Sequence, residues 1–248
     1  MDFNIYDLYV DASINLDKKV GCAGMALVDR KRDQMLDSRY IVKENATNNM
    51  SEIIAIWMAI YRAIELLYTE NLPFHVNIFS DSQISLFGMR EWIPTWIKKR
   101  QGDIIYNTAG PVYNQEWFLD SYHAILSSGL KLKFWHQKGH VDPNNPRSIF
   151  ISDKTFRTSN VNSMHMIGTT PQILAKYNNY VDNTSRDILN AILAGQDIRQ
   201  FPNALFMKTS PMPMCYNLTN ESIEIYESLI RGGLNYPIYF NGGKKNEI

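Results

Sequence analysis

The segment NIYDLYVDAS (residues 4–13) is an almost unbroken apolar run that ends in an aspartate. Its aliphatic, β-branched and aromatic residues are typical of a strand that is covered on both faces of a sheet. The carboxylate of Asp11 comes where the apolar run stops. A buried aspartate needs a cation, hydrogen-bond donors or solvent, so Asp11 is either a group at the rim of a central sheet or an ordinary turn aspartate.

The whole chain has the composition of a globular protein. Its 248 residues, 45% hydrophobic and 20% charged, suit one domain with additions, or one domain and a small second one. No apolar run approaches the ~20 residues that span a bilayer, and the first residues lack the pattern of a signal peptide. We therefore expect a cytoplasmic protein that does not contact membranes. Cys22 and Cys215 match no metal or redox spacing, so we expect reduced thiols.

Two further strands and a long helix follow the first strand. The strands, residues 20–29 and 34–43, are joined by short polar turns, and the small residues of the first would let a neighbouring backbone approach closely. A helix is predicted from near Asn49, because apolar residues then recur at steps of three and four. Glu52 would lie in its first turn, either as a capping-box partner of Asn49 or as a functional acid.

A fourth strand, residues 74–79, is followed by Ser80-Asp81-Ser82-Gln83. A connection from strand through helix to strand is right-handed and gives parallel pairing, which brings the carboxyl ends of the first and fourth strands to one rim. Asp11 and Asp81 would then be neighbours, and Glu52 could reach them from the crossing helix. Three carboxylates at one point repel one another unless a multivalent cation lies between them.

An aromatic and basic segment comes next. Trp92 and Trp96 stand four residues apart beside Lys98-Lys99-Arg100. Such a surface can contact sugar and phosphate, and because the formal net charge of the chain is zero, nucleic-acid binding would depend on a local patch of this kind. The alternative is a helix that packs through its tryptophans and has a solvated charged end.

The second half of the chain is less regular. A helix at about residues 115–127 and a fifth strand at 130–137 are followed by Lys138-Gly139-His140. Residues 141–177 are mostly polar, which predicts a loop of a length that is uncommon inside a compact domain.

A helix should resume near Asn178 and run to about Leu193, with Asp182 in its first turn. Residues 1–193 would form the functional domain. Residues 194–248 would be a C-terminal extension with one clear helix, at 220–231, and no evident chemistry.

Together these segments resemble the ribonuclease HI family, whose members cut the RNA strand of RNA–DNA hybrids. The resemblance covers about Asp7 to Leu193, with an interruption after His140. Its most specific parts are Thr47-Asn48-Asn49 with Glu52 and Ala55, Ser80-Asp81-Ser82-Gln83, a run from Trp92 to Trp117 similar to the family's basic protrusion, and Lys138-Gly139-His140. The implied α/β fold is ribonuclease H-like: a five-stranded mixed sheet in the order 3-2-1-4-5, with strands 1–3 as an antiparallel meander, flanked by helices.

The resemblance also implies roles for individual residues. The metal ligands, which are also the catalytic acids, would be Asp11, Glu52, Asp81 and Asp182, with Asp187 as the alternative for the fourth acid. His140 would assist proton transfer or product departure. The contacts to the hybrid would come from Ser13, Asn48, Asn49 and Gln83 on the RNA strand, and from Trp96, Lys98, Lys99 and Arg100 on the DNA backbone. Ala12 departs from the pattern, since the family usually has a glycine there.

Oxygen-only ligands suit Mg²⁺, with Mn²⁺ as a substitute, rather than zinc. Two such ions, roughly 4 Å apart, would bracket the scissile phosphate, one activating water and the other stabilising the departing 3′ oxygen. From the family we expect 5′-phosphate and 3′-hydroxyl ends and a monomeric protein. Two alternatives remain open: a nuclease of the same fold that acts on another duplex or junction, and a non-catalytic module that binds hybrids.

Overall fold

A computed structural model describes residues 3–140, 142, 151–154, 157–159, 168–212 and 218–231. The elements along the chain are β1 (Asn4–Asn15), β2 (Val20–Asp29), β3 (Gln34–Glu44), α1 (Asn48–Thr69), β4 (Phe74–Ser80), α2 (Gln83–Phe87), a π-helical turn (Gly88–Trp92), α3 (Ile93–Lys98), β5 (Tyr106–Asn107), β6 (Gly110–Pro111), α4 (Gln115–Ser128), β7 (Leu132–Gln137), β8 (Ile151–Lys154), β9 (Arg157–Ser159), α5 (Pro171–Leu193), a 3₁₀ turn (Ile198–Gln200), β10 (Ala204–Phe206) and α6 (Asn220–Arg231). None of the helices in these ranges is long and apolar enough to cross a membrane.

The main sheet has the order β10-β3-β2-β1-β4-β7-β8-β9. Its middle five strands have the predicted order, with β1, β2 and β3 as an antiparallel meander and with β4 and β7 parallel to β1. The sheet is wider than the five strands expected, because β10 pairs with β3 and the short strands β8 and β9 extend it beyond β7. These added strands have only three or four residues each, too few for a readable alternation pattern.

Strand β1 is covered on both faces, as its continuous apolar run predicts. Leu8 and Val10 lie in the core cluster that the sheet forms with α1, α4 and α6. Tyr9 points to the other face, where its ring stacks on Phe79 at 5.1 Å and α5 contributes Tyr177 to the same cluster. The strand therefore holds the two layers of helices together through alternate side chains.

Helix α1 begins one residue earlier than predicted, and its cap is different. Thr47 is the N-cap, and its side-chain oxygen accepts a hydrogen bond from the backbone N–H of Met50 at 3.2 Å. The alternative of a capping box between Asn49 and Glu52 is therefore excluded, and the prediction that Glu52 lies in the first turn is wrong. Glu52 lies beyond the first turn and is buried, so capping does not explain it.

Helix α5 begins at Pro171, seven residues before the predicted start near Asn178, so part of the predicted loop is helical. Thr170 caps the helix by accepting a hydrogen bond from the N–H of Ile173 at 3.3 Å, and Pro171 suits the first helical position. Asp182 consequently lies in the middle of the helix and not in its first turn. A macrodipole at the helix start therefore contributes nothing to its role.

The small residues of β2 allow α5 to pack closely. A Cβ atom on Gly24 would lie 2.4 Å from Ser185 Oγ and 2.9 Å from Val181 Cγ1, both on α5. Glycine is needed here because α5 crosses almost in contact with the strand backbone. Cys22, two residues away, is a free, buried thiol whose pKa is raised to about 12 by that burial. Cys215 lies outside the described residues.

The described helix of the C-terminal extension packs onto the core. Helix α6 lies against α4, where the rings of Tyr226 and Tyr122 are 4.6 Å apart. The hydroxyl of Tyr226 donates a hydrogen bond to the backbone carbonyl of Met89 in the π-helical turn. The extension is thereby joined to the segment that leads into the basic end of α3.

Candidate active site

Three carboxylates meet at the rim where β1 and β4 stop pairing. Val10 and Ser80 form the last parallel pair of these strands, so Asp11 and Asp81 are the next residues on neighbouring chains. Glu52 reaches the same point from α1. One oxygen from each of the three carboxyl groups can be chosen so that all lie within 4.8 Å of one another.

Burial and like charge raise the proton affinity of this cluster. The pKa of Asp11 is raised well above its ordinary value by burial and then by Asp81, and that of Glu52 by burial and then by Asp11. Burial also raises the pKa of Asp81, while nearby His140 lowers it. The rim is therefore an unfavourable place for three negative charges without a cation.

Two oxygens of the cluster have no hydrogen-bond donor within the described part of the chain. They are Asp11 Oδ2 and Glu52 Oε2, both buried. The other oxygen of Asp11 accepts a hydrogen bond from the backbone N–H of Ala12 at 2.7 Å, so the alanine in place of the usual glycine still supports the carboxylate. Unsatisfied buried carboxylate oxygens in this arrangement fit a hard divalent cation such as Mg²⁺ or Mn²⁺.

A fourth acid, Asp182, lies beside the cluster on α5. Its negative charge contributes to the raised pKa values of Asp11, Glu52 and Asp81. Both of its oxygens are 2.7 Å from one guanidinium nitrogen of Arg186. The other possible fourth acid, Asp187, is on the exposed side of the helix, so the geometry favours Asp182.

The segment Lys138-Gly139-His140 places a histidine next to Asp182. His140 Nδ1 is 3.2 Å from Asp182 Oδ2, and the histidine side chain is 70% exposed. His140 has a left-handed backbone conformation with φ of 50°. An imidazole that is both accessible and within reach of the acids can exchange protons with bound substrate or product.

Gly139 is needed because Asp81 packs against its backbone. A Cβ atom on Gly139 would lie 1.9 Å from Asp81 Oδ2 and 3.1 Å from Asp81 Cβ. The side chain of Asp81 would have to move, and with it one corner of the carboxylate cluster.

We predict that Gly139→Ala weakens Mn²⁺ or Mg²⁺ binding about 10- to 100-fold, because ligand orientation controls affinity. Isothermal titration calorimetry would measure the affinity for the metal ion. Gly88→Ala is the matched control, since a Cβ there meets the ring of Phe118, 2.5 Å away in the core and outside the cluster. That variant should lose stability but not metal affinity. Equal metal affinity in Gly139→Ala and the unmodified protein would contradict the prediction.

His136, which was not among the predicted site residues, contacts the backbone of Asp81. His136 Nε2 is 3.2 Å from the backbone carbonyl of Asp81, and burial lowers the pKa of this histidine. A neutral imidazole that donates to this carbonyl would fix the turn that carries Asp81. The signal that could have identified it is its position near the end of the predicted fifth strand. In the structure it pairs with Ser80, the residue before Asp81.

The residues predicted to contact substrate lie in different surroundings. Asn48 and Asn49 are exposed at the start of α1, and Ser13 and Gln83 are half-buried. Lys98, Lys99 and Arg100 are exposed at the end of α3. Trp96 is different, because it is only 8% exposed and packs edge-on against Phe118 at 5.1 Å. Its position corresponds to the alternative of a helix packed through its tryptophans, with a solvated basic end.

Comparison with known proteins gives a consistent match. The model of the RNase H family matches residues 4–148, more than half of the chain. The chain is 32% identical over 111 residues to the ribonuclease H of Paracidovorax citrulli (strain AAC00-1), covering 44% of this chain and 66% of that protein. It is 29% identical over 105 residues to the ribonuclease H of Xanthomonas campestris pv. campestris (strain 8004), covering 42% and 61%. The match thus spans less than two thirds of either relative.

A solved structure described as LC9-RNase H1, a type 1 RNase H with the type 2 active-site motif, aligns with a TM-score of 0.43 and 16% sequence identity, over 60% of this chain and 70% of that one. The family assignment rests on the family model, whose matched residues 4–148 include β1 to β4, Glu52 and the segment that ends at His140. This chain belongs to the RNase H family.

Proposed function

We propose that this protein is a metal-dependent endonuclease that hydrolyses the RNA strand of RNA–DNA hybrids and leaves 5′-phosphate and 3′-hydroxyl ends. The observation that carries the proposal is the convergence of Asp11, Glu52 and Asp81 with two buried oxygens that have no donor among the described residues. Relatives named ribonuclease H add support.

In this proposal the acids Asp11, Glu52, Asp81 and Asp182 hold two Mg²⁺ ions, with Mn²⁺ as a substitute. Bound Mg²⁺ supplies a polarised phosphate and a water of lowered pKa. Arg186 neutralises Asp182 and holds it in one orientation through their 2.7 Å contacts. His140, exposed next to Asp182, accepts or returns a proton as product leaves.

The substrate contacts in this proposal come from two exposed regions. Asn48 and Asn49 at the start of α1, with Ser13 and Gln83, would bind the RNA strand through its 2′-hydroxyls. The exposed cluster Lys98, Lys99 and Arg100 would bind the DNA backbone. Trp96 would contribute indirectly, by holding α3 against Phe118. The protein would act as a monomer in the cytoplasm, with residues 1–193 as the catalytic domain and residues 194–248 as a C-terminal extension.

The test is cleavage of a strand-labelled RNA–DNA hybrid with Mg²⁺, with Mn²⁺ and with EDTA, beside duplex RNA and duplex DNA. Metal-dependent cutting confined to the RNA of the hybrid is the expected result. Preferential cutting of duplex RNA or duplex DNA would contradict the proposal and indicate a nuclease with a different substrate. Metal-independent hybrid binding without turnover would replace it with a binding module.

Metal binding should also stabilise the folded protein, and more strongly at high pH. The raised pKa values of Asp11, Glu52 and Asp81 mean that the metal-free folded state binds protons more tightly than the unfolded state. Their unfavourable contribution to stability therefore diminishes as pH falls through their raised pKa values towards the ordinary ones, near 4. Mg²⁺ competes with these protons, so its stabilising effect should diminish over the same range.

Differential scanning fluorimetry at about pH 8 and about pH 5.5, with and without about 10 mM MgCl₂, would measure this difference in stabilisation. The melting temperature should rise on adding Mg²⁺, with the larger increase at pH 8. In Asp11→Asn, which removes one charge of the cluster, the increase should shrink. An equal increase in the unmodified protein and the variant would place the bound metal elsewhere.

A further inference from the structure

A cavity lies outside the carboxylate cluster and shares no residue with it. It has a volume of about 760 Å³ and is bounded by α1, β3, β10 and the segment that follows β10. Its wall includes Trp57, Tyr61, Asp120, Ile41, Leu205 and Met207, and none of the four acids of the proposed active site. This volume is in the range of small-molecule sites.

Asp120 on α4 is the central polar group of this cavity. Only 7% of the residue is exposed. Its Oδ2 accepts hydrogen bonds from Trp57 Nε1 at 2.6 Å and from Tyr61 Oη at 2.7 Å. Within the described ranges no cationic side chain pairs with it, and no donor contacts its Oδ1. A buried carboxylate in this state retains one oxygen for a ligand.

The other charged residues that line the cavity, Asp37, Arg39 and Glu65, are compensated with the help of Arg62, which lies beside it and pairs with both acids. Asp37 accepts hydrogen bonds from Arg39 at 3.0 Å and from Arg62 at 2.9 Å. Glu65 is 2.7 Å from Arg39 and 3.3 Å from Arg62. Two acids and two arginines cancel, so Asp120 gives the cavity a net negative charge.

The two aromatic residues that donate to this carboxylate also contact each other. The ring centroids of Trp57 and Tyr61 are 4.8 Å apart and their planes meet at 49°. The ring of Trp117 makes a T-shaped contact with Trp57, with centroids 5.3 Å apart. Tyr61 remains 36% exposed. Angled aromatic faces next to a negative charge attract organic cations through their quadrupoles.

We infer that this cavity binds a small alkylammonium ion, with its nitrogen at Asp120 Oδ1 and its alkyl groups against Trp57 and Tyr61. A single available oxygen suits one N–H donor, whereas a guanidinium prefers to engage both oxygens of a carboxylate. The inference is independent of the proposed nuclease activity, because the two sites share no residue.

The test is a titration with butylammonium chloride followed by NMR of the Trp57 indole N–H, the group that donates to Asp120. Trp57→Phe identifies the signal. The expected result is a saturable shift with a dissociation constant on the order of 1 mM, as suits so small a ligand. Sodium chloride at equal ionic strength and 1-butanol should give no saturable shift. Butylguanidinium should bind at least several-fold more weakly. The same shift with sodium chloride, or tighter binding of butylguanidinium, overturns the inference.

Asp120→Asn keeps the shape and an oxygen acceptor but removes the charge, so affinity for butylammonium should fall about tenfold or more. Asp17→Asn, at an exposed position outside the cavity, is the matched control and should bind as the unmodified protein does. If Asp120→Asn fails to fold, Tyr61→Leu takes its place, because it removes one aromatic face while leaving the carboxylate. Undiminished affinity in whichever variant folds refutes the assignment.

Discussion

Asp81→Asn should reduce cleavage of an RNA–DNA hybrid about 10³-fold or more while leaving hybrid binding within about threefold. The carboxylate of Asp81 is one of three that converge within 4.8 Å at the rim of the sheet. An amide keeps the side-chain volume but removes the charge that holds a divalent cation. Metal-ion catalysis supplies several kcal/mol of transition-state stabilisation, and about 4 kcal/mol corresponds to a factor of ~10³.

Single-turnover cleavage with a labelled RNA strand would measure the rate, and fluorescence anisotropy in Ca²⁺ would measure binding. Asp17→Asn, at an exposed aspartate in the turn between β1 and β2 and outside the cluster, is the matched control and should cleave normally. Binding should persist because the proposed hybrid contacts at Asn48, Asn49 and the cluster Lys98 to Arg100 are untouched. Full activity in Asp81→Asn would defeat the assignment of the site.

Asp7→Asn should lower the free energy of unfolding by about 3–5 kcal/mol, since it breaks a buried ion pair. Asp7 is completely buried on β1 and accepts hydrogen bonds from Arg30 Nε at 2.7 Å and from Asn77 Nδ2 at 3.1 Å. The network continues to Trp135, whose indole N–H donates to Asn77 Oδ1 at 3.0 Å. Replacing the carboxylate leaves the buried guanidinium of Arg30 without its opposite charge.

Urea denaturation followed by circular dichroism would give the free energy of unfolding. Asp197→Asn is the matched control, because Asp197 also pairs with an arginine, Arg199, but both groups are at the surface. Exposed pairs contribute little, so this variant should unfold at an unchanged urea concentration. A loss of less than about 1 kcal/mol in Asp7→Asn would mean that the surrounding network compensates for the missing charge.

Much of the fold is determined by local pattern. The apolar runs, the short turns between them and the three- and four-residue steps of α1 predict the meander of β1 to β3 and the crossover helix. The family resemblance implies the full order of the five central strands. The crossover rule then brings Asp11 and Asp81 together, because parallel strands end at the same rim. This is why a reading of residues 4–83 alone predicts the convergence of three acids that the structure contains.

The structure departs from the local patterns where distant contacts override local composition. Residues 171–177 end a long stretch, 141–177, whose mostly polar composition predicts a loop, yet α5 begins at Pro171 because Leu174 and Tyr177 pack beside Tyr9 on the far side of the sheet. Trp96 belongs to a segment whose aromatic and basic residues are typical of a binding surface. It is buried because Phe118, 22 positions later in the chain, packs against it.

The sequence by itself determined the antiparallel meander, the parallel pairing of β1 with β4 and the carboxylates that meet at their rim, because these depend on short-range periodicity and on the handedness of one connection. Its motifs also carry the family resemblance, which implies the order of the five central strands. Only the tertiary structure decided the ion pair of Asp7 with Arg30, the support of Asp81 by Gly139 and His136, and the aromatic cavity around Asp120. Asp120 and its partner Trp57 are 63 residues apart. Contacts over such separations depend on how whole elements pack, and no local pattern specifies them.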